Sequence, residues 1–106
     1  MNYRFMRVLV FFDLPTETVA DKRAYRQFRK ALVKNGFVMM QESVYCRLLI
    51  NANASKAAME TVRRNKPPKG LVQMLTVTEK QFAEMEYLVG QNTSDVITTD
   101  ERLIIL

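Results

Sequence analysis

The sequence predicts one α+β domain in which an antiparallel sheet packs against helices. Three observations predict this fold class: a long apolar run near the start, an amphipathic segment with capping signals at both ends, and later apolar runs that alternate with a second amphipathic segment. At 106 residues the chain has the usual length of a single domain.

The first strand is the apolar run that begins at Val8 and ends at Asp13. An uninterrupted apolar run of this length is typical of a buried central strand. Pro15 lacks a backbone donor and disfavours helix at Leu14, so the strand should end there. Asp13 is then a carboxylate at the mouth of a buried strand, which needs a hydrogen-bond donor, a cation or a metal nearby. From the residues alone it is either a cap on the next turn or a ligand.

The first helix has a start and a stop signal. Thr18 followed three residues later by Asp21 resembles a capping box, and both Glu17 and Asp21 suit the positive end of a helix. The helix should run to Asn35-Gly36, where glycine can adopt the left-handed conformation that closes it.

The remaining elements follow in order. The segments 37–41 and 43–50 are predicted strands, either a hairpin or one long bent strand, with Gln41-Glu42-Ser43 between them. A second helix is predicted over about 55–66, with Asn53 or Ser55 as its cap and Ala58, Met59 and Val62 as its buried stripe. A strand over 71–77 and a short helix from Glu79 to about Leu88 come next. This order predicts a ferredoxin-like βαββαβ sandwich with both main helices on one face of the sheet.

The C-terminal part differs from the rest, so we divide the chain into a domain over 1–88 and an extension over 89–106. The extension is polar until it ends in four apolar residues, which would make an aggregation-prone edge strand if unpaired: Leu103, Ile104, Ile105 and Leu106. We expect this strand to pair either with the domain's own sheet or, as we favour, with a second copy. Two-fold exchange would also cover the sheet face opposite the helices, which predicts a homodimer.

Composition excludes several function classes. The sequence has no histidine, which rules out Ser-His and Cys-His nucleophile pairs and an ordinary catalytic zinc site. The single cysteine, Cys46, cannot form an internal disulfide and is expected to be a small core residue. We found no signal peptide and no apolar stretch of membrane-spanning length, so a cytoplasmic protein without membrane contact is expected.

The positive charge is concentrated in the first half of the chain. Residues 1–50 hold nine Lys and Arg against four Asp and Glu, whereas residues 51–106 hold seven of each. Six cations share one side of the first helix, opposite the face of Tyr25, Phe28 and Leu32: Lys22, Arg23, Arg26, Arg29, Lys30 and Lys34. This side is either an ordinary solvated face or a phosphate-binding surface. Phosphate contact predicts salt-dependent, sequence-tolerant binding of nucleic acid.

Several of these residues together resemble the CRISPR-associated protein 2 family, the small adaptation subunit that accompanies the CRISPR integrase. The similarity covers nearly the whole chain, and the run 11–18 looks especially like members of type II systems. The residues that carry it are Phe12-Asp13, Arg23, Arg26, Phe28, Leu32, Gly36-Phe37 and Gln41-Glu42-Ser43-Val44-Tyr45.

The resemblance implies a ferredoxin-like homodimer in which the Asp13 residues of the two copies face each other. Some members are described as endonucleases of RNA or double-stranded DNA, with Mg²⁺ held by that aspartate pair. Members also act as the scaffold between integrase dimers, where a basic surface supports the DNA duplex. Ser43 matches a polar position that either holds phosphate or water or satisfies the turn. Tyr45 replaces the phenylalanine of many relatives and is either a donor or a core aromatic with a solvated tip.

Two functions therefore compete. The chain is a magnesium-dependent nuclease that uses paired Asp13, or a non-catalytic dimeric scaffold that binds duplex DNA and the integrase subunit. A single carboxylate is a poor magnesium ligand set, so catalysis would depend on dimerisation. Scaffolding is our preferred role, and the resemblance favours a metal-dependent endonuclease at the level of the family.

Overall fold

The computed structural model describes residues 5–90. The predicted terminal strand, Leu103 to Leu106, lies outside the described residues, as does the extension 89–106 apart from its first two positions. The described elements are β1 (Met6–Asp13), α1 (Val19–Lys34), β2 (Val38–Gln41), β3 (Val44–Leu49), α2 (Ala52–Arg64), β4 (Leu71–Thr78) and α3 (Glu79–Ala83).

The four strands form one antiparallel sheet in the order β2-β3-β1-β4. This is the strand order of a ferredoxin-like sandwich, and it confirms the predicted α+β fold. The apolar run of β1 lies between two neighbours, with Val10 opposite Tyr45 of β3 and Met74 of β4. A strand paired on both edges explains why its sequence lacks polar interruptions until Asp13.

The core lies between the sheet and the helices. Alternate residues of β1, Val8, Val10 and Phe12, point to this side and contact Phe28 and Leu32 of α1. The ring of Phe12 meets that of Phe28 edge-on, with 5.2 Å between the centroids. Each such side chain contributes about 1.5–3 kcal/mol when fully buried, so this cluster fixes how α1 lies on the sheet. The buried apolar residues of the cluster are Val8, Val10, Phe12, Phe28, Leu32, Phe37, Tyr45, Leu49, Ala58 and Val62.

The opposite side of the sheet, which we call the open face, is also largely apolar. The strand register places Leu9, Leu75, Leu71 and Leu48 on it, and the last three are exposed. Near the start of β1 the open face is partly covered by α3. There the Arg7 guanidinium binds the Glu79 carboxylate at 2.7 Å and lies 4.3 Å from the centre of the Phe82 ring.

The predicted boundaries of α1 are confirmed. The Thr18 hydroxyl accepts a hydrogen bond from the Asp21 backbone N–H at 3.0 Å, and the Thr18 N–H donates to the Asp21 carboxylate at 3.2 Å. Asn35 is the C-cap, and Gly36 has a φ of +87° as expected for the residue that ends a helix. The segments 37–41 and 43–50 form a hairpin rather than one bent strand.

Two other boundaries were predicted wrongly. The second helix begins at Ala52 instead of about residue 55, because Asn51 is its cap: the Asn51 side-chain oxygen accepts from the Ala54 N–H at 2.8 Å. The third helix ends at Ala83 instead of about Leu88. Within residues 5–90, no helix is long and apolar enough to cross a membrane.

Candidate nucleic-acid interface and the end of the first strand

Asp13 is the last residue of β1 and is exposed on the open face. The alternation of the strand sends the preceding Phe12 into the core and Asp13 to the other side. Its partner in β4 is Leu71, which is exposed on the same face. The carboxylate therefore lies at the rim of an apolar surface and makes no hydrogen bond or ion pair with any other residue in 5–90.

The turn between β2 and β3 lies beside this strand end. The Phe12 N–H donates to the carbonyl oxygen of Ser43 at 3.1 Å, so the β2–β3 turn and Asp13 are at the same end of the sheet. Ser43 has a φ of +67°, and it is the one non-glycine residue between 5 and 90 in this conformation. The turn thus depends on the Ser43 backbone, while its hydroxyl takes part in no hydrogen bond with the described residues.

Residues 5–90 of one chain do not form a magnesium site at Asp13. Among residues 5–90 there is no group of three or more acidic or cysteine side chains that could hold a metal ion. Asp21, the second acidic residue after Asp13 in the sequence, already accepts a hydrogen bond from the Thr18 N–H and forms an ion pair with Lys69. Mg²⁺ prefers six oxygen ligands, commonly including more than one carboxylate, and residues 5–90 do not bring such a ligand set together at Asp13.

The six cations predicted on α1 are all exposed. On a helical wheel they fall within an arc of about 140°, turned away from Phe28 and Leu32, which are buried against the sheet. Within the part of the chain that the structure describes, none of the six forms an ion pair. We call this surface the basic face; it consists of Lys22, Arg23, Arg26, Arg29, Lys30 and Lys34.

One member of the basic face has a fixed side chain. The Arg29 Nε–H donates to the phenol oxygen of Tyr45 at 2.9 Å, and this hydrogen bond raises the pKa of Arg29. Tyr45 itself is only 1% exposed and its ring packs against that of Phe12. Tyr45 is therefore a core aromatic whose buried hydroxyl accepts a hydrogen bond from Arg29, and its tip is not solvated.

Comparison with known proteins identifies the family. A family model described as CRISPR associated protein Cas2 matches residues 6–85, which is most of the chain. The chain belongs to the CRISPR-associated protein Cas2 family. This confirms the resemblance noted from the sequence.

Relatives named CRISPR-associated endoribonuclease Cas2 are similar over most of the chain. One from Treponema denticola is 48% identical over 101 residues, covering 95% of this chain and 100% of the relative. One from Streptococcus mutans serotype c is 46% identical over 101 residues, covering 95% and 93%. One from Acidovorax ebreus is 52% identical over 85 residues, covering 80% and 83%.

Two contacts near the candidate site were not anticipated from the sequence. The Lys69 ammonium binds the Asp21 carboxylate at 3.1 Å and lowers the pKa of that carboxyl group. The sequence signal for this ion pair was Lys69, just before β4. In this Cas2-family fold β4 begins beside the end of β1, which brings Lys69 close to the start of α1. The Arg29–Tyr45 bond joins residues 16 positions apart in a helix and a strand, and no local pattern indicates it.

Proposed function

We propose that this chain is a dimeric nucleic-acid-binding scaffold in CRISPR adaptation, which holds a DNA duplex and binds the integrase subunit. The basic face is the observation that carries this proposal. Six exposed cations without an acidic partner among the described residues repel one another, and they gain when phosphates approach.

The basic face suits the phosphate backbone better than base edges. It is a broad surface on a helix whose Phe28 and Leu32 are buried in the core against the sheet, so this helix would enter a groove only together with the sheet. The open face lacks stacking aromatics on β4, whose residues there are Leu71, Gln73, Leu75 and Val77. Duplex DNA is therefore the favoured ligand, with RNA as the second possibility.

A salt titration tests the binding role. Replacing Arg26 and Lys30 with alanine should lower the slope of log affinity against log salt by about 1.8, because each lost phosphate contact removes about 0.9. The matched control is Lys80→Ala, an exposed cation on α3 at the other side of the sheet. Equal slopes for wild type, the double variant and the control would contradict the proposal.

The open face supports the dimer. Leu71, opposite Asp13, and Leu75, opposite Leu9, are 54% and 51% exposed there. A second copy packed on this face would remove their side chains from water, which contributes about 25 cal/mol for each Å² buried. It would also bring a second Asp13 to the same region. The terminal residues Leu103 to Leu106 are expected to add to this contact or to the contact with the integrase subunit.

The partnership with the integrase subunit is tested by copurification. The full chain should retain the integrase subunit, and a chain that ends before Leu103 should lose the integrase subunit or the second copy. If the shortened chain retains both, the assigned role of the terminal residues is wrong.

A second candidate function is metal-dependent endonuclease activity. The relatives' name, endoribonuclease, and the exposed position of Asp13 on the open face favour it. Because residues 5–90 hold no group of three or more acidic or cysteine side chains, we expect this activity to use Asp13 from both copies, with Mg²⁺ as the ion.

A cleavage assay separates the two functions. Wild type, Asp13→Ala and the control Glu42→Ala should be compared on RNA and on duplex DNA, with magnesium and with excess EDTA. A nuclease that uses Asp13 loses activity in Asp13→Ala and in EDTA but retains it in Glu42→Ala. Cleavage that persists in Asp13→Ala would exclude the Asp13 site, and binding without any cleavage would leave the scaffold as the function.

A further inference from the structure

The buried phenol of Tyr45 is placed directly beneath one residue of the basic face. Tyr45 belongs to β3, in the middle of the sheet, and its side chain crosses the core toward α1. Its oxygen meets the Nε of Arg29 at 2.9 Å. The ring is held by Phe12, with 5.7 Å between ring centroids, so the phenol oxygen has a fixed position.

This hydrogen bond uses one of the five N–H groups of Arg29 and leaves four. Among residues 5–90, no acceptor takes the four N–H groups of the terminal nitrogens. Two of these groups, one on each terminal nitrogen, lie parallel at the end of the planar guanidinium and can bind two oxygens of one phosphate. The other five cations of the basic face have no side-chain hydrogen bond within the described residues and must order themselves when they bind.

We propose that Tyr45 is a positioning residue: it holds the Arg29 guanidinium with its terminal nitrogens facing outward, so that Arg29 is the pre-ordered phosphate contact of the basic face. This inference rests on the proposed nucleic-acid binding and adds which cation anchors the backbone. An arginine already fixed in its binding conformation loses less side-chain freedom when it meets phosphate.

The alternative role for the contact is purely structural, in which Arg29 only satisfies a buried hydroxyl. A tyrosine oxygen at the edge of a core needs a polar partner, and the guanidinium supplies one. The two roles differ in what happens to nucleic-acid binding when the hydroxyl is removed but the ring stays. They also differ in whether that effect depends on Arg29.

The experiment is a double-mutant cycle on duplex binding by the full chain. Tyr45→Phe should weaken affinity roughly threefold to tenfold, the loss expected when one long side chain must be ordered on binding. The salt slope should stay unchanged, because Arg29 keeps its charge. In an Arg29→Lys background, Tyr45→Phe should change affinity by less than about twofold.

Two controls are matched to these variants. Tyr25 lies on α1, as Arg29 does, but its hydroxyl makes no hydrogen bond with Arg29. Tyr25→Phe should therefore bind duplex with the affinity of wild type. Arg26→Lys keeps the charge of a cation that has no side-chain partner within residues 5–90, and it should lose less affinity than Arg29→Lys does.

The Nε–H resonance of Arg29 reports the contact independently of binding. In wild type this proton should be protected from exchange with water. In Tyr45→Phe it should lose that protection, while the dispersion of the backbone amide resonances shows that the variant is still folded. If Tyr45→Phe binds duplex as wild type does, the positioning role is wrong although the binding function stands. The same holds if Tyr45→Phe weakens affinity by the same factor in the Arg29→Lys background as in wild type. If wild type does not bind duplex, or binds without salt dependence, the proposed function fails as well.

Discussion

At the scale of single residues, the Asp21 carboxylate makes more contacts within the described fold than the Asp13 carboxylate does. It is the one acid within α1, and its side chain is almost completely buried. Its carboxylate accepts from the Thr18 N–H and binds the Lys69 ammonium, so it joins the start of α1 to the segment before β4. These contacts, first the Lys69 hydrogen bond, lower the pKa of Asp21 below its usual value of 3.8.

The lowered pKa makes stability depend on pH in a defined direction. A carboxyl group with a lower pKa in the folded state contributes its full stabilisation above pH 3.8, and this contribution is lost as pH falls through the lower folded value. Asp21→Asn should therefore lower the Tm at neutral pH. The difference from wild type should shrink on acidification below pH 3.8, as measured by thermal melts across pH.

The control for this prediction is Glu17→Gln, which makes the same charge change two residues before α1 begins. Glu17 is exposed and forms no ion pair with the described residues, so its Tm should follow wild type. A difference between Asp21→Asn and wild type that is constant from acidic to neutral pH would contradict the role of the ionised carboxylate.

At the scale of elements, the connection from α2 to β4 packs closely against the end of β1. Gly70, with a φ of +99°, leaves no room for a side chain: a Cβ there would lie 2.7 Å from Cδ2 of Leu14 and 2.9 Å from the carbonyl oxygen of Asp13. The position of Asp13 thus depends on a glycine in another part of the sequence.

Gly70→Ala should destabilise the protein by about 2–4 kcal/mol, because it adds overpacking to the cost of a left-handed conformation. Gly90→Ala is the matched control, since Gly90 has a φ of +88° but a Cβ there would meet nothing within 4 Å. Urea unfolding measures both. Equal losses for the two variants would show that backbone conformation alone, and not the contact with Asp13 and Leu14, determines the cost.

Elements with local signals were predictable, and elements that depend on distant partners were not. Thr18 and Gly36 define α1 through bonds within a few residues. Asn51, Asn53 and Ser55 are all capping residue types, and only the folded chain shows that Asn51 caps while Ser55 is buried and donates to the Ala52 carbonyl. The same distinction applies to the candidate site.

The exposure of the six cations followed from the helical wheel, because the apolar side of α1 determines which side faces water. Asp13 was predictable as a strand-end carboxylate. Its proximity to Ser43 and Gly70, and the bond between Arg29 and Tyr45, arise from the order in which strands pair, which no single segment encodes.

At the scale of the whole molecule, the sheet separates two surfaces of different chemistry. One side carries α1, α2 and the basic face, and the other is the apolar open face, with α3 over one end and Asp13 at its rim. Exposed apolar surface of this kind is typical of an interface with another protein.

Leu75→Glu should convert the proposed dimer to monomer while leaving the fold intact, because Leu75 is half exposed in the described chain. The matched control is Val33→Glu, which introduces the same charge at a similarly exposed apolar residue, 59% exposed, on α1. Light scattering gives the mass of each variant and circular dichroism its fold. A Leu75→Glu protein with the mass of wild type would place the dimer contact elsewhere.

The placement of α1 and the open face on opposite sides of the sheet has a consequence for valency. In the proposed dimer, two copies joined through their open faces would carry two basic faces that point in opposite directions, so the assembly would be bivalent toward the phosphate backbone. A short duplex can occupy only one of them, whereas a duplex long enough to pass around the assembly engages both, and the second contact is made at high effective concentration. Avidity should therefore appear abruptly above a threshold duplex length, which would make the dimer a measure of DNA length without any contact to the bases.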